Sequence, residues 1–212
     1  MRAGLARIVK AGLRFVASVL MVSGVLLIAD AGVTVAWQEP ISAVLAERQQ
    51  VELREALESP PLRVRAPTAE RRPLPGDSIG RIVMPAIGKD YYLVEGTDAD
   101  TLRRGPGHYP DTPLPGERGT AAIAGHRTTH GAPFRKIDGL RRGDRIVLEM
   151  PYGTFIYRVE RQQIVAPTDL WVKKRVRYDR LMLSACHPLY SAQQRLIVFA
   201  RFVARRAARV RT

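Results

Sequence analysis

The stretch RLMLSACHPLYSAQQRLIVFARFV, residues 180–203, decides how this chain folds. Two apolar runs, 180–185 and 195–203, flank a polar loop that begins at Cys186. Short apolar runs of this kind, separated by turn-forming residues, predict two β-strands joined as a hairpin. The end of one strand of a hairpin lies beside the start of the next, so Cys186 and Arg195 are predicted to be neighbours at the edge of a sheet.

Beyond this hairpin, short predicted strands follow one another along the chain from about residue 77 to residue 203. Short apolar runs alternate with Gly and Pro, and the Pro-Tyr-Gly sequence at 151–153 predicts a tight turn between two of them. The other predicted strands are 78–84, 91–95, 120–124, 145–150 and 154–161. This density of short strands favours an all-β domain, a small barrel or sandwich.

Cys186 is a candidate nucleophile because it is the single cysteine of the chain. One cysteine forms no intrachain disulfide and supports no Cys-rich metal cluster, so the thiol is either buried and inert or reactive. A guanidinium from Arg195 beside it would favour the thiolate and could stabilise a developing oxyanion. No cofactor or metal is predicted.

A thiol nucleophile also needs a proton carrier, for which histidine is the usual residue. His126 follows the predicted strand 120–124 and is the best of the four histidines for this role, with His130 second. His187 is adjacent to Cys186, so in an extended chain it points to the opposite side. His108 lies in a Pro/Gly-rich segment that is predicted to be flexible.

Three motifs carry a resemblance to a known family: AIAGHRTTHGAPF (122–134), LMLSACHP (181–188) and QRLIVFAR (194–201). Together they resemble the sortases, cysteine transpeptidases of Gram-positive cell surfaces, and most of all class E sortases of actinobacteria. The resemblance implies an eight-stranded sortase β-barrel over residues 77–203. By it, Cys186 is the nucleophile, and His126 is the general acid/base. Arg195 then stabilises the oxyanion or orients the substrate.

The resemblance also implies a reaction. Sortases cleave a C-terminal sorting signal of the Leu-Pro-x-Thr-Gly type between Thr and Gly, and class E members are associated with a Leu-Ala-x-Thr-Gly form. The thioacyl intermediate passes to an amine, usually of a peptidoglycan precursor. The implied partners are thus secreted proteins with sorting signals and that amine acceptor. A pilus-building sortase, which uses a pilin lysine, is the alternative.

Four further residues are predicted to contact the substrate. Ala185 precedes the cysteine where the family usually has Thr, so a hydroxyl is missing at that position. His130 stands where class E members commonly have Tyr, a position linked to the choice of Ala-containing signals. Leu170 and Trp171 lie in the segment 166–179, which is predicted to line the signal groove, or else to be an ordinary exposed connection.

The N-terminus predicts export. The run from Phe15 to Trp37 is apolar except for Asp30, and as a helix it would be roughly 35 Å long, enough to cross a bilayer. Four basic residues precede it, which predicts a cytoplasmic N-terminus and an extracytoplasmic catalytic domain. The alternative is a cleaved signal peptide, because Ala-Asp-Ala at 29–31 resembles a cleavage site.

The remaining segments complete a four-part organisation. Residues 1–37 form the basic tail and membrane anchor, and 38–76 form a stalk helix (39–58) followed by a Pro-rich linker. The catalytic domain takes 77–203, and 204–212 is a basic tail.

The net charge of +14 suits a neighbourhood of anionic lipids and wall polymers. No nucleic-acid motif accompanies it, so nucleic-acid binding is not predicted. A membrane-anchored wall- or nucleic-acid-binding module is the non-enzymatic alternative. A cysteine transpeptidase acting on peptidoglycan stems is another, but its Ser-His-Gly-Cys-x-x-Arg pattern is absent.

Overall fold

The computed structural model describes residues 2–37, 40–59 and 72–207. The chain divides into two compact units, Met1–Pro40 and Ile41–Thr212. Most of the predicted Pro-rich linker (60–71) and the end of the predicted basic tail (208–212) lie outside the described residues.

The first unit contains one long helix, α1 (Arg2–Trp37). Its segment Lys10–Val33 has 24 residues, a mean hydropathy of 2.1 and no buried part. At about 1.5 Å per residue such a segment is long enough to cross a bilayer. The helix is therefore compatible with the predicted membrane anchor and equally with a signal sequence.

The second unit is a closed β-barrel with two further helices. The helices are α2 (Pro40–Glu58) and α3 (Ala99–Arg104). The described strands are β1 (Ser78–Met84), β2 (Lys89–Glu95), β3 (Gly107–His108), β4 (Thr120–Ala124), β5 (Arg145–Met150), β6 (Gly153–Val165), β7 (Arg180–His187) and β8 (Gln194–Arg206). They close in the order β1-β2-β3-β4-β7-β8-β6-β5. The pairs β2–β3 and β4–β7 are parallel, and the other neighbours are antiparallel.

The predicted all-β barrel is confirmed, and so are the predicted turn at 151–153 and the hairpin of β7 and β8. One strand was missed, because β3 has only two residues and no apolar alternation. His108 itself, in the segment predicted to be flexible, is instead buried. His108 Nδ1 lies 2.9 Å from a carboxylate oxygen of Glu95, and both side chains are shielded from solvent.

Side chains alternate between the two faces of the barrel wall, as the pleat requires. Along β7, Leu181, Leu183 and Ala185 belong to the large interior core. Met182 belongs instead to a second cluster on the outer face of β4, β7 and β8. This outer cluster consists of Ala122, Val165, Val172, Met182, Ile197 and Phe199. Two apolar layers therefore hold the same three strands, one inside the barrel and one outside it.

Helix α2 packs on the barrel rather than standing apart from it. β3 is too short to cover all of β2, so the backbone of Tyr92 needs another partner. The Gln50 amide supplies it: Nε2 donates to the carbonyl of Tyr92 (3.1 Å), and Oε1 accepts from the Tyr92 N–H (2.6 Å). Leu53 of the same helix is completely buried. The helix predicted to be a stalk thus belongs to the same compact unit as the barrel.

Candidate active site

Cys186 and Arg195 face each other across the β7–β8 hairpin. They are directly paired in the antiparallel register, so their side chains project from the same face of the sheet. That face is the outer one. Cys186 and Met182 are an even number of residues apart on β7, so their side chains point to the same face, and Met182 belongs to the outer cluster. The thiol is free and half-buried, which leaves it accessible to a substrate. The predicted adjacency of these two residues is confirmed.

The side chain of Ala185 does not face this site, and contact between this residue and the substrate stays a prediction. Its side chain is buried in the interior core, on the opposite side of the barrel wall from Cys186. The physical reason is the two-residue period of a strand, which turns neighbouring side chains to opposite faces. An apolar residue at position 185 therefore suits the core.

His126 reaches the same end of the barrel through the parallel pairing of β4 with β7. Ala124 is paired with Ser184, and the Gly125 N–H donates to the Ser184 carbonyl (3.0 Å). His126 and Cys186 each lie two residues beyond that pair. The two strands therefore deliver the imidazole and the thiol to one edge, although the residues are far apart in sequence.

The small size of Gly125 allows the backbone just before His126 to pass close to the Phe134 ring. A Cβ placed on it would lie 2.6 Å from the ring of Phe134, much closer than real contacts allow. The same segment is closed by a bond from the Phe134 N–H to the His126 carbonyl (2.9 Å). The backbone around His126 is thus fixed against the Phe134 ring.

The environment of His126 favours its neutral form. Burial lowers the pKa of His126, and repulsion from His130 and from Arg103 lowers it further. The rings of His126 and His130 are tilted by 31°, with centroids 4.8 Å apart. Nε2 of His126 and Nδ1 of His130 are both buried without a hydrogen-bond partner among the described residues. An imidazole in this state is available as a base.

His130 begins a tight left-handed turn. His130, Gly131 and Ala132 have φ angles of 52°, 72° and 43°. The turn lies against α2, since a Cβ on Gly131 would be 3.1 Å from the Cβ of Ala46. A pocket of about 510 Å³ opens beside the turn, between α2 and β2. His130 therefore lies beside His126, as its predicted part in the site requires.

The guanidinium of Arg195 is held by its own loop. Its Nη1 donates to the carbonyls of Ala192 (2.8 Å) and Gln194 (3.0 Å). Nη2 and Nε take no part in these two bonds. A cation fixed in this way, opposite the thiol in the register, is suited to a developing negative charge on that face.

The β6–β7 connection covers the outer cluster. Val172 is buried there, and the Trp171 ring lies 6.3 Å from the ring of Phe199. Leu170 is 66% exposed and Trp171 is 38% exposed, so both keep apolar surface for a ligand. The structure places them on this covering segment, and their contact with substrate stays a prediction.

Arg180 was not singled out from the sequence, yet it holds this covering segment in place. Its side chain is buried, and Nη2 donates to the carbonyls of Val172 (2.9 Å) and Lys174 (3.0 Å). The guanidinium carbon lies 4.5 Å from the centroid of the Phe199 ring. The sequence offers one indication of this role, a basic residue at the first position of an apolar strand.

Among the described residues, no group of three or more His, Cys, Asp or Glu side chains is placed to hold a metal ion.

Comparison with known proteins gives a consistent result. The family profile described as "Sortase domain" matches residues 82–203. Sortase D of Bacillus subtilis is 34% identical over 139 residues, which cover 64% of this chain and 69% of that protein. Sortase SrtE1 of Streptomyces coelicolor is 31% identical over 150 residues, covering 62% of this chain and 42% of that protein. This chain therefore matches less than half the length of the latter.

A solved structure agrees with these relatives. The structure of sortase E from Streptomyces avermitilis superposes with a TM-score of 0.59 at 31% identity. The match covers 64% of this chain and 93% of that one. The similarity thus extends over nearly the whole of a class E domain.

Proposed function

Because the chain belongs to the sortase family of cysteine transpeptidases, we propose that it cleaves a sorting signal of the Leu-Ala/Pro-x-Thr-Gly type between Thr and Gly. In this proposal Cys186 is the nucleophile, His126 the general acid/base, and Arg195 the oxyanion-stabilising group. One observation carries the assignment. The β7–β8 register pairs Cys186 with Arg195, and the β4–β7 pairing brings His126 to the same edge.

The first half of the reaction forms a thioester. His126, neutral because its pKa is lowered, takes the proton of the Cys186 thiol. The thiolate attacks the carbonyl carbon of the signal's Thr, and Arg195 stabilises the oxyanion that forms. The Thr–Gly bond then breaks, and the imidazolium of His126 gives its proton to the departing Gly amine.

The second half reverses these steps with a new amine. A neutral acceptor amine attacks the thioester carbonyl, and its surplus proton passes to His126. The Cys186 thiolate leaves and takes this proton back from His126, and a new amide joins the Thr carbonyl to the acceptor. Protons and bonds balance without a cofactor, so the same three side chains serve both halves.

The outer cluster and its covering segment support binding of the signal next to Cys186. The outer faces of β4, β7 and β8 provide an apolar floor. Leu170 and Trp171 above it offer exposed apolar surface, which suits the leucine end of the signal. His130, beside His126, is in position to affect the choice between Ala and Pro in the signal.

The proposed setting is the outer surface of the cell membrane. The apolar segment of α1 would anchor the chain, with the catalytic domain outside. Secreted proteins with C-terminal sorting signals would be the acyl donors, and an amine of a peptidoglycan precursor the acceptor. Housekeeping attachment of proteins to the wall is the favoured role, as in the class E resemblance.

A turnover assay tests this function. The full chain in detergent micelles is mixed with Leu-Ala-x-Thr-Gly or Leu-Pro-x-Thr-Gly peptides and one of two amines, a peptidoglycan-stem mimic or a lysine-containing pilin peptide. We expect Thr–Gly cleavage and transfer to the stem mimic, with no product from Cys186→Ala. Preferential transfer to the pilin lysine would favour the pilus-building alternative. Transfer by Cys186→Ala would overturn the mechanism.

A further inference from the structure

Arg127, the residue after His126, has a side chain that is only 4% exposed. Its guanidinium contacts two separate parts of the barrel rim, the end of β7 and the segment at Asp138. Nη1 donates to Nδ1 of His187 (3.0 Å) and lies 3.4 Å from the carbonyl oxygen of Cys186. Nη2 pairs with a carboxylate oxygen of Asp138 (2.9 Å). None of these contacts is part of the reaction described above.

In the contact with Cys186, the Arg127 side chain takes the place of a backbone N–H donor beyond the end of the β4–β7 ladder. In a parallel ladder, successive N–H groups of one strand donate to carbonyls two residues apart on its neighbour. The Gly125 N–H donates to the Ser184 carbonyl, so the next position on β7 is the Cys186 carbonyl. β4 has already ended at Ala124, and the Arg127 side chain reaches that carbonyl instead. The guanidinium thus binds the carbonyl that follows in the ladder, that of Cys186.

The ion pair with Asp138 provides the other anchor. Asp138 lies on the short 3₁₀ helix Ile137–Gly139, which ends the segment that begins at His126. A buried guanidinium needs such a partner, because an unpaired charge away from water is costly. Asp138 itself is 54% exposed, so its carboxylate is partly solvated while it holds Arg127. The segment carrying His126 and His130 is therefore tied at both ends, by β4 and by this pair.

We propose that Arg127 is a positioning residue for the transpeptidation reaction, which holds the backbone of Cys186 at a fixed separation from His126. The proposal rests on the proposed function, since it assumes that these two residues exchange the proton. Arg127 does not contact the substrate in this scheme. Its effect comes from the Cys186 carbonyl, the His187 ring and Asp138, all of which it holds together.

This role predicts a particular kinetic pattern. A misplacement of about 1 Å between reacting groups can cost roughly 100-fold in rate. Loss of the guanidinium should therefore lower kcat, while the signal groove, formed by other residues, should keep KM close to its original value. Because both half-reactions use Cys186 with His126, acylation and aminolysis should slow together.

The test compares Arg127→Met, Arg127→Lys and Asp138→Asn with the unchanged full chain in detergent micelles. For Arg127→Met we expect kcat to fall about 100-fold with KM changed less than threefold. Arg127→Lys keeps a cation that reaches part of this network, so it should recover a portion of the loss. Asp138→Asn should lower kcat several-fold without unfolding the protein. Glu149→Gln, which weakens an exposed ion pair with Arg81 on β1 and β5, is the matched control and should leave kcat unchanged.

The outcomes separate the inference from the function it rests on. The thermal midpoint of each variant shows whether it is folded, and should Arg127→Met not fold, Asp138→Asn decides the question. Folded variants with kcat within threefold of the unchanged chain, or with a loss confined to KM, would overturn the role of Arg127 and leave the transpeptidase mechanism standing. Transfer by Cys186→Ala would instead overturn the mechanism itself.

Discussion

At the scale of single residues, the surroundings of His126 determine which protonation state it has. The ring is partly buried, and two cationic or potentially cationic groups, His130 and Arg103, act on it. Burial and like charge both disfavour the imidazolium, so the pKa of His126 lies below its ordinary value. A neutral imidazole beside a thiol is a base that needs no external activation.

Replacing His130 with Gln should raise the pKa of His126. The substitution removes a source of positive charge 4.8 Å from the His126 ring and leaves the burial largely unchanged. The acid limb of kcat/KM against pH should therefore move to higher pH, because His126 stays protonated over a wider range. A pH profile of peptide cleavage measures the shift. A limb that stays in place or moves to lower pH would contradict this coupling.

Gly125→Ala should disturb the same histidine through sterics. The added methyl group would overlap the Phe134 ring, and overpacking of this kind costs about 1–3 kcal/mol. We expect a lower denaturation midpoint together with reduced activity. Gly125→Ala combined with Phe134→Leu should recover part of the stability, because the smaller side chain leaves room. Equal stability of Gly125→Ala and the unchanged chain would refute the close contact.

Sequence reasoning predicted the juxtaposition of Cys186 and Arg195 because each lies at the boundary of an apolar run. Hairpin pairing then follows from short-range geometry alone. The contacts of Arg127 could not be found in that way. Its partner Cys186 lies on another strand, and only the three-dimensional pairing of β4 with β7 brings the two together. Its partner Asp138 lies further along the same segment, and the folding of that segment brings the two side chains together.

At the scale of elements, helix α2 packs against the outside of the barrel. Its amphipathic pattern predicted a helix, but a stalk and a docked helix have similar patterns, so the docking was not visible. What decides it is the incomplete coverage of β2 by β3, which leaves backbone groups for Gln50 to bind. The shortness of β3 also explains why sequence periodicity missed that strand.

Leu53→Ala should destabilise the barrel although the residue lies outside it. Leu53 is completely buried, and buried Leu→Ala substitutions cost about 2–5 kcal/mol. Leu45→Ala, on the same helix and half exposed, is the matched control and should change the stability by well under 1 kcal/mol. Urea denaturation followed by tryptophan fluorescence measures both. Equal effects of the two substitutions would mean that α2 does not pack on the barrel.

At the scale of the whole molecule, Cys186 is the only cysteine in 212 residues, so a thiol reagent can report on which side of the membrane the catalytic domain lies. The proposed anchor in α1, with basic residues before it, would place Cys186 outside the membrane. A membrane-impermeant maleimide added to intact cells should therefore label the chain. Labelling that requires permeabilised cells would place the catalytic domain inside, and Cys186→Ala serves as the control for specificity.

The central claim is that Cys186 carries the acyl group between donor and acceptor. The most direct test is the intact mass of the full chain, in detergent micelles, after reaction with Leu-Ala-x-Thr-Gly and Leu-Pro-x-Thr-Gly peptides. We predict an adduct equal to the peptide up to its Thr, located on Cys186, absent from Cys186→Ala and discharged by added amine. An unmodified mass with both peptides, in a folded chain whose thiol still reacts with maleimide, would contradict the claim.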